Sequence, residues 1–185
     1  ENVDKIYCIP GNGGTAAISK NIKLDLSDHD ALINFVKVNN IGLTIVGPEA
    51  PLSAGIVDAF KSVGLRIFGP SKYASKLESS KLFARDIMAK YNIPHPEYYS
   101  CNNRSKAELV KVKLKLPIVL KADGLAAGKG VLICHKEDEF KNALSVMYDD
   151  KIFGDAGTNV SVEKCLIGEE LSVFAVCDGK EYIIL

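Results

Sequence analysis

The sequence predicts an α/β protein with a parallel, doubly wound, Rossmann-like first unit and a small α+β second unit. Over residues 5–70 short apolar runs alternate with amphipathic helical patterns, which is typical of parallel strands joined by helices. The run Ile93-Pro94-His95-Pro96 is incompatible with helix. Beyond it, a glycine-rich hairpin and later strands accompany two helices. We therefore expect the first unit, with its linker helices, over residues 1–92 and the second over 93–185.

The first unit is predicted from three apolar strands and the helices between them. The strands are Ile6–Ile9, Leu43–Val46 and Leu65–Phe68. Ser27 is expected to cap the first helix, and Pro51 to begin a second helix that Gly64 stops. Two short linker helices are expected over residues 71–91.

The second unit is predicted to contain two helices and five strands. The helices are Lys106–Lys115 and Glu139–Tyr148. The strands are Pro117–Leu120, Val131–Cys134, Val160–Cys165, Leu171–Cys177 and Tyr182–Leu185.

Composition and charge exclude several classes of protein. The 23 Lys and Arg residues balance the 23 Asp and Glu residues, so no broad basic field for nucleic acid or an anionic membrane is expected. No stretch approaches the roughly 20 apolar residues of a membrane span. The three histidines are too scattered to indicate a zinc site.

The five cysteines lie mostly inside apolar runs and form no Cys-x-x-Cys pair. We expect buried, reduced thiols in a cytoplasmic protein. Because the chain starts without methionine and stops within a predicted strand, we expect it to be a piece of a longer protein.

A loop of three glycines and two lysines joins the two strands of the predicted hairpin. This glycine loop, Lys121–Gly130, allows backbone N–H groups to converge on an anion while the lysines supply positive charge. It is not a Walker A loop, because the glycine spacing is shorter and a strand follows in place of a helix. We therefore expect a movable lid over phosphate, with Lys121 as a phosphate ligand.

Glycine-containing turns follow each predicted strand of the first unit, where ligands of parallel sheets bind. They are Pro10–Thr15, Gly47–Pro51 and Gly69–Ser71. A position at a helix N-terminus explains Glu49 without a ligand, but contact with a substrate hydroxyl is an equal alternative. In the second unit, Glu163 could accept from the exocyclic amine of a purine, and Glu170 could bind ribose hydroxyls.

Several runs together resemble the phosphoribosylamine-glycine ligase family of the ATP-grasp superfamily. The resemblance covers nearly the whole chain, and its most specific runs are Thr44–Leu52, Ile67–Pro70, Leu77–Lys81 and the glycine loop. Phe153–Gly157 and Gly168–Glu170 add to it. It implies a pre-ATP-grasp first unit and an ATP-grasp lid unit that is incomplete at its C-terminus.

The family resemblance implies a reaction in which ATP phosphorylates the carboxylate of glycine. The amine of 5-phosphoribosylamine then attacks the acyl phosphate, giving glycinamide ribonucleotide, ADP and phosphate in purine biosynthesis. Mg²⁺ or Mn²⁺ is expected as well, with ligands downstream of Leu185. This chain by itself is therefore expected to be inactive.

The resemblance also implies a role for individual residues. Lys81 and Lys121 correspond to the nucleotide-phosphate lysines, and Glu163 with the backbone of residues 164–166 to the adenine hinge. Glu170 corresponds to the ribose carboxylate. The implied ATP-binding set is Lys81, Lys121, Asp123, Gly124, Leu125, Ala126, Ala127, Gly128, Lys129, Gly130, Glu163, Lys164, Cys165, Leu166 and Glu170. The implied phosphoribosyl-binding set is Gly11, Asn12, Gly13, Gly47, Pro48 and Glu49, with Thr15 beside it.

Three alternatives stay open at this point. The chain could belong to another ATP-grasp ligase or carboxylase that acts on a different carboxylate. It could be a nucleotide-binding module without catalysis. A dinucleotide-dependent oxidoreductase rests only on the turn Gly11–Gly14, which lacks the full Gly-x-Gly-x-x-Gly spacing.

Overall fold

The computed structural model describes residues 3–126, 129–150, 152–154 and 158–185. Ala127 and Gly128 of the implied ATP-binding set lie outside the described residues, as do Asp155–Gly157 of the run that adds to the family resemblance. Among the described helices, none combines the length and apolar character needed to cross a bilayer.

The first unit contains two pairs of parallel strands with helices between them. Strands β1 (Tyr7–Cys8) and β2 (Lys20–Asn21) form one pair, and β3 (Thr44–Ile45) and β4 (Ile67–Phe68) form the other. The helices are α1 (His29–Val38), α2 (Glu49–Ala54) and α3 (Ile56–Ser62). The α/β class with parallel strands is confirmed, although β2 was not predicted.

Details of the first unit correct three sequence predictions. The N-cap of α1 is Asp28, whose carboxylate accepts from the Ala31 N–H at 2.9 Å, and not Ser27. The single helix expected from Pro51 is split at Gly55, whose φ of +97° interrupts helical geometry. The strand expected over Leu43–Val46 is observed only at Thr44–Ile45, and despite its apolar sequence Ile45 is exposed, because it lies outside the core that the helices form.

Two linker helices precede the second unit, as predicted. They are α4 (Lys76–Ser79) and α5 (Lys81–Lys90), and a Ser80 N-cap separates them. The Ser80 hydroxyl accepts from the Phe83 N–H at 3.1 Å. Helix α5 contacts the second unit through an Asp86–Tyr98 hydrogen bond of 2.6 Å. The boundary at residue 92 stays a prediction.

The second unit is built on a four-stranded antiparallel sheet in the order β5-β8-β6-β7. Its strands are β5 (Tyr98–Cys101), β6 (Ile118–Ala122), β7 (Val131–Cys134) and β8 (Val160–Lys164). The hairpin β6–β7 was predicted, whereas β5 was not. Helices α6 (Arg104–Leu114) and α7 (Glu137–Leu144) lie against the sheet, and a π-helical turn at Ser145–Asp149 extends α7.

Side chains alternate along the strands of this sheet between a face that packs against the helices and the opposite face. Ile118, Leu120 and Ala122 are buried among the helices and form the core with the strand residues opposite them. The side chains between them point to the other side of the sheet. We call this side the open face. Its residues on β6, β7 and β8 are Val119, Lys121, Val131, Ile133, Ser161 and Glu163, of which Ser161 and Glu163 are buried.

A short antiparallel hairpin ends the chain. It consists of β9 (Ala175–Cys177) and β10 (Tyr182–Ile184), in which all residues are exposed. The predicted strand Leu171–Cys177 is therefore too long at its start. The expectation of buried thiols is confirmed for Cys101 and Cys134. It is wrong for Cys177, which is exposed because no described element covers this hairpin. Burial raises the pKa of the Cys134 thiol to about 11.

Helix α6 offers a matched test of this packing. Leu114 is 8% exposed within the core, and Leu109 on the same helix is 73% exposed. We expect Leu114→Ala to lower the free energy of unfolding by about 2 to 4 kcal/mol through lost burial and a residual cavity. Leu109→Ala should change it by less than about 0.5 kcal/mol. Urea denaturation measures both, and equal effects would contradict the assigned faces of α6.

Candidate functional site

The buried carboxylate of Glu163 organises the centre of the open face. Glu163 is 1% exposed. Its Oε1 accepts from Arg85 Nε at 3.0 Å and from the Ser161 hydroxyl at 2.9 Å. Its Oε2 accepts from Arg85 Nη2 at 2.8 Å and lies 2.9 Å from Lys121 Nζ. Two cations therefore share one carboxylate, and the cluster carries one net positive charge.

Opposing effects set the pKa of Glu163. Burial alone would raise the pKa, because it penalises the charged carboxylate. Hydrogen bonds from Arg85 and Lys121, together with their charges, outweigh burial and hold the pKa below its ordinary value of 4.5. The side chain is therefore ionised at neutral pH.

The start of the glycine loop is tied to the N-terminus of α5. Asp123 Oδ1 accepts from the Ser80 hydroxyl at 3.0 Å and from the Leu82 N–H at 3.2 Å. A carboxylate at this position also interacts favourably with the helix dipole. Lys81 Nζ donates to the Gly124 carbonyl at 2.8 Å, so Lys81 lies directly at the loop.

The end of the glycine loop depends on close backbone packing. The Lys129 N–H donates to the Ala126 carbonyl at 2.9 Å, and the Gly130 carbonyl accepts from the Ala122 N–H at 2.8 Å. A β-carbon on Gly130 would lie 2.6 Å from that of Ala126, so only glycine fits here. Gly124 has a φ of +146°, which also favours glycine.

Apolar side chains continue the open face beside Lys121. Val131 and Ile133 on β7 are about half exposed and lie outside the core. Exposed β-branched side chains next to a cationic cluster form a surface suited to a flat ligand with a charged end. Sequence reasoning missed both residues and also missed Arg85 and Ser161.

The segment after β8 borders the open face. The Lys164 N–H donates to the Glu97 carbonyl at 2.9 Å, and the Cys165 N–H donates to the Pro117 carbonyl at 3.3 Å. None of the described residues accepts a hydrogen bond from the Leu166 N–H. Glu170 is exposed in the irregular segment that follows. The structure thus joins Lys121 to Glu163 and Lys81 to Gly124, while Asp123 binds the N-terminus of α5. Among the described residues, Glu170 forms no such contact.

The other predicted set lies in the first unit, at the ends of its strands. Gly11 has a φ of +77°, and a β-carbon there would overlap the Asn21 side chain at 2.2 Å. The Asn12 carbonyl accepts from Asn21 Nδ2 at 2.7 Å, and Thr15 Oγ1 accepts from the Asn12 N–H at 2.8 Å. These bonds hold the turn Gly11–Gly13 in one shape, with Gly13 exposed.

The second turn of this set begins α2. Pro48 is its N-cap and Glu49 its first residue, exposed at the helix N-terminus, while Gly47 has open space around it. Within the described chain, no hydrogen bond or ion pair connects this turn to Gly11–Gly13 or to the open face. The roles of both sets stay predictions.

Comparisons with known proteins decide the family. The family model described as phosphoribosylglycinamide synthetase, ATP-grasp (A) domain, matches residues 79–185, and the N-domain model of the same synthetase matches residues 1–78. The chain belongs to the phosphoribosylglycinamide synthetase family. This membership confirms the resemblance predicted from the sequence motifs, including the ATP-grasp fold.

Individual relatives agree with the family models. The chain is 48% identical over 181 residues to phosphoribosylamine–glycine ligase of Neisseria meningitidis serogroup B, covering 98% of this chain and 43% of the relative. The crystal structure of phosphoribosylamine–glycine ligase from Thermotoga maritima matches with a TM-score of 0.78 and 28% identity, over 98% of this chain and 43% of that one. The chain thus spans less than half the length of these relatives.

A more distant structure shares the fold alone. The biotin carboxylase domain of Hydrogenobacter thermophilus 2-oxoglutarate carboxylase, solved with MgADP, ADP and bicarbonate, matches with a TM-score of 0.64 and 16% identity. The match covers 80% of this chain and 34% of that one.

The low pKa of Glu163 leads to a prediction about acid stability. A carboxyl group with a lowered folded-state pKa stabilises the fold above its unfolded pKa, and this contribution disappears as the pH falls through the folded pKa. We expect Glu163→Gln to be about 2 kcal/mol less stable than the parent protein at pH 7, because hydrogen bonds to charged groups are lost. The difference should shrink below pH 4.5. Urea denaturation across this pH range measures it.

Glu108→Gln is the matched control for this experiment. Glu108 forms an exposed i,i+4 pair with Arg104 at 3.6 Å, which should contribute little. A Glu163→Gln variant as stable as the parent at pH 7, or a difference that grows in acid, would contradict the ionised state of Glu163.

Proposed function

We propose that the full-length protein containing this chain is an ATP-dependent ligase that joins glycine to 5-phosphoribosylamine. ATP phosphorylates the glycine carboxylate, and the amine displaces phosphate from the acyl phosphate. The products are glycinamide ribonucleotide, ADP and phosphate. The activity is attributed to the longer protein, because the chain covers 43% of the N. meningitidis relative.

The observation that carries this proposal is the convergence of the glycine loop and two lysines at one end of the open face. Lys81 donates to the loop at Gly124, and Lys121 lies on β6 at the start of the loop. Phosphoryl transfer requires mainly positioning and charge neutralisation, which lysines and backbone N–H groups supply. A closing loop would also protect the acyl phosphate from water.

The purine is assigned to the apolar part of the open face. Val131 and Ile133 offer it a flat surface. The Leu166 N–H, which has no acceptor among the described residues, offers a hydrogen bond at its edge. Glu170 is the proposed ligand of the ribose hydroxyls. Both oxygens of Glu163 are already hydrogen-bonded, so its proposed contact with the exocyclic amine would need one of these bonds to be shared.

The phosphoribosyl substrate is assigned to the turns of the first unit. Gly11, Asn12 and Gly13 present backbone near an exposed surface, and Glu49 presents an exposed carboxylate at the N-terminus of α2. A carboxylate there would accept hydrogen bonds from ribose hydroxyls. The proposal places the reaction in the cytoplasm and involves no nucleic acid or membrane.

The reaction needs a divalent ion to neutralise the triphosphate, and we assign Mg²⁺ or Mn²⁺ to it. The biotin carboxylase domain of similar fold was solved with MgADP. In the described residues no group of three or more His, Cys, Asp or Glu side chains is placed to hold such an ion. Its ligands are still expected downstream of Leu185.

The direct test of the proposal is ADP release by the full-length protein. Release should require both glycine and 5-phosphoribosylamine, and the chain of residues 1–185 alone should give none. Release that responds to bicarbonate and ignores glycine would favour a carboxylase. Nucleotide binding without turnover would favour a regulatory module, and binding of NAD in place of ATP an oxidoreductase.

Separate variants test the assignment of the two sites. In the full-length protein, Lys121→Ala and Glu170→Ala should each weaken ATP binding by about 1 to 3 kcal/mol, because each loses charged hydrogen bonds. Glu49→Ala should raise the KM for 5-phosphoribosylamine and leave the Kd of ATP nearly unchanged. Isothermal titration and steady-state kinetics measure these constants. A Glu49→Ala variant that loses ATP binding alone would reverse the assignment.

A further inference from the structure

We propose that Arg85 is a positioning residue that compensates the charge of Glu163 and so leaves the positive charge of Lys121 available to the nucleotide phosphates. This inference rests on the proposed function and deepens it. It assigns a role to a residue on α5 that forms no hydrogen bond or ion pair with the described residues of the glycine loop.

The geometry gives Arg85 the stronger hold on Glu163. Arg85 binds both carboxylate oxygens, at 3.0 and 2.8 Å, in a planar two-point arrangement. Lys121 approaches one oxygen only, at 2.9 Å. Paired, two-point contacts of this kind are stronger and more specific than a single ammonium contact. Arg85 can therefore hold the carboxylate alone when Lys121 turns to another anion.

Burial makes this compensation necessary. Glu163 is 1% exposed, whereas the side chain of Lys121 is 22% exposed and can reach toward ligand. A buried charge that loses its partner is strongly destabilised. Without Arg85, Lys121 would be the remaining cation on Glu163 among the described residues, and moving it toward phosphate would uncover the buried carboxylate.

Charge counting leads to the same conclusion. Arg85 and Lys121 against Glu163 leave one positive charge on the open face. Removing the charge of Arg85 makes the cluster of Arg85, Lys121 and Glu163 neutral, which weakens its attraction for the nucleotide phosphates. This holds even if Lys121 contacts Glu163 and a phosphate at the same time. Removing the charge of Glu163 as well restores the net positive charge.

The test is a double-mutant cycle on nucleotide binding by the full-length protein. We expect Arg85→Gln to raise the Kd of ATP by about tenfold, the change that corresponds to one modest charge interaction. The Kd of adenosine, which has no phosphate, should stay within about twofold. Arg85→Lys should bind ATP within about threefold of the parent, because it keeps the charge.

The second mutation separates charge compensation from a structural role. Arg85→Gln/Glu163→Gln should recover most of the lost ATP affinity relative to Arg85→Gln. Adding Glu163→Gln to Lys121→Gln should recover less affinity, because the remaining cation is then Arg85 on α5 and not the lysine that reaches the phosphates. Arg104→Gln is the matched control, because Arg104 on α6 forms its ion pair with Asp149 of the π-helical turn, and not with Glu163.

Each outcome decides the matter. An Arg85→Gln variant with an unchanged Kd of ATP overturns the inference. So does an Arg85→Gln variant that loses equal affinity for ATP and for adenosine. A loss of ATP affinity in Arg85→Lys as large as in Arg85→Gln also overturns it. If Arg85→Gln does not fold, the double variant is compared with the parent, and a Kd of ATP about tenfold above that of the parent overturns the inference. A parent protein that binds no ATP overturns the proposed function together with this inference, whereas normal ATP binding with an unaffected Arg85→Gln variant overturns this inference alone.

Discussion

The carboxylate of Glu163 is the interaction on which the open face depends. It lies on β8 and binds side chains from α5 and β6, so one buried charge connects three elements that are distant in sequence. The hydrogen bonds of Arg85 and Lys121 offset the cost of burying it. The proposed attraction of this face for nucleotide phosphates depends on their excess positive charge.

Helix α5 has a second connection to the same region. Its N-terminus receives Asp123, and its first residue, Lys81, reaches the Gly124 carbonyl. Arg85 lies one helical turn further along. A single short helix therefore holds both the entrance of the glycine loop and the centre of the open face. The match to the family model for the ATP-grasp domain begins at residue 79 and so includes this helix.

Local patterns made part of this arrangement predictable. The hairpin β6–β7 was expected because β-branched apolar runs flank a glycine-rich turn, and both signals are short-range. The linker helices were expected from apolar residues on one helical face, and the run Ile93–Pro96 gave only the boundary after them. The phosphate role of Lys121 was predicted from the glycine loop, whereas that of Lys81 came from the family resemblance, and both roles stay predictions.

The missed features depend on contacts between distant residues. Arg85 and Glu163 are 78 positions apart, and nothing in an amphipathic helix marks one arginine as a partner for a buried carboxylate. An acidic residue near a strand end is ordinarily solvated, so the burial of Glu163 could be known only after its partners were placed. Strand β5 was missed for a similar reason, because its pairing with β8 defines it.

The most direct test of the account is a crystal structure of the full-length protein with a non-hydrolysable ATP analogue. The account predicts the purine against Val131 and Ile133, with the Nζ atoms of Lys81 and Lys121 within hydrogen-bonding distance of phosphate oxygens. Arg85 should still bind both oxygens of Glu163. A nucleotide bound away from the open face, or an Arg85 side chain that leaves Glu163 to bind phosphate, would contradict it.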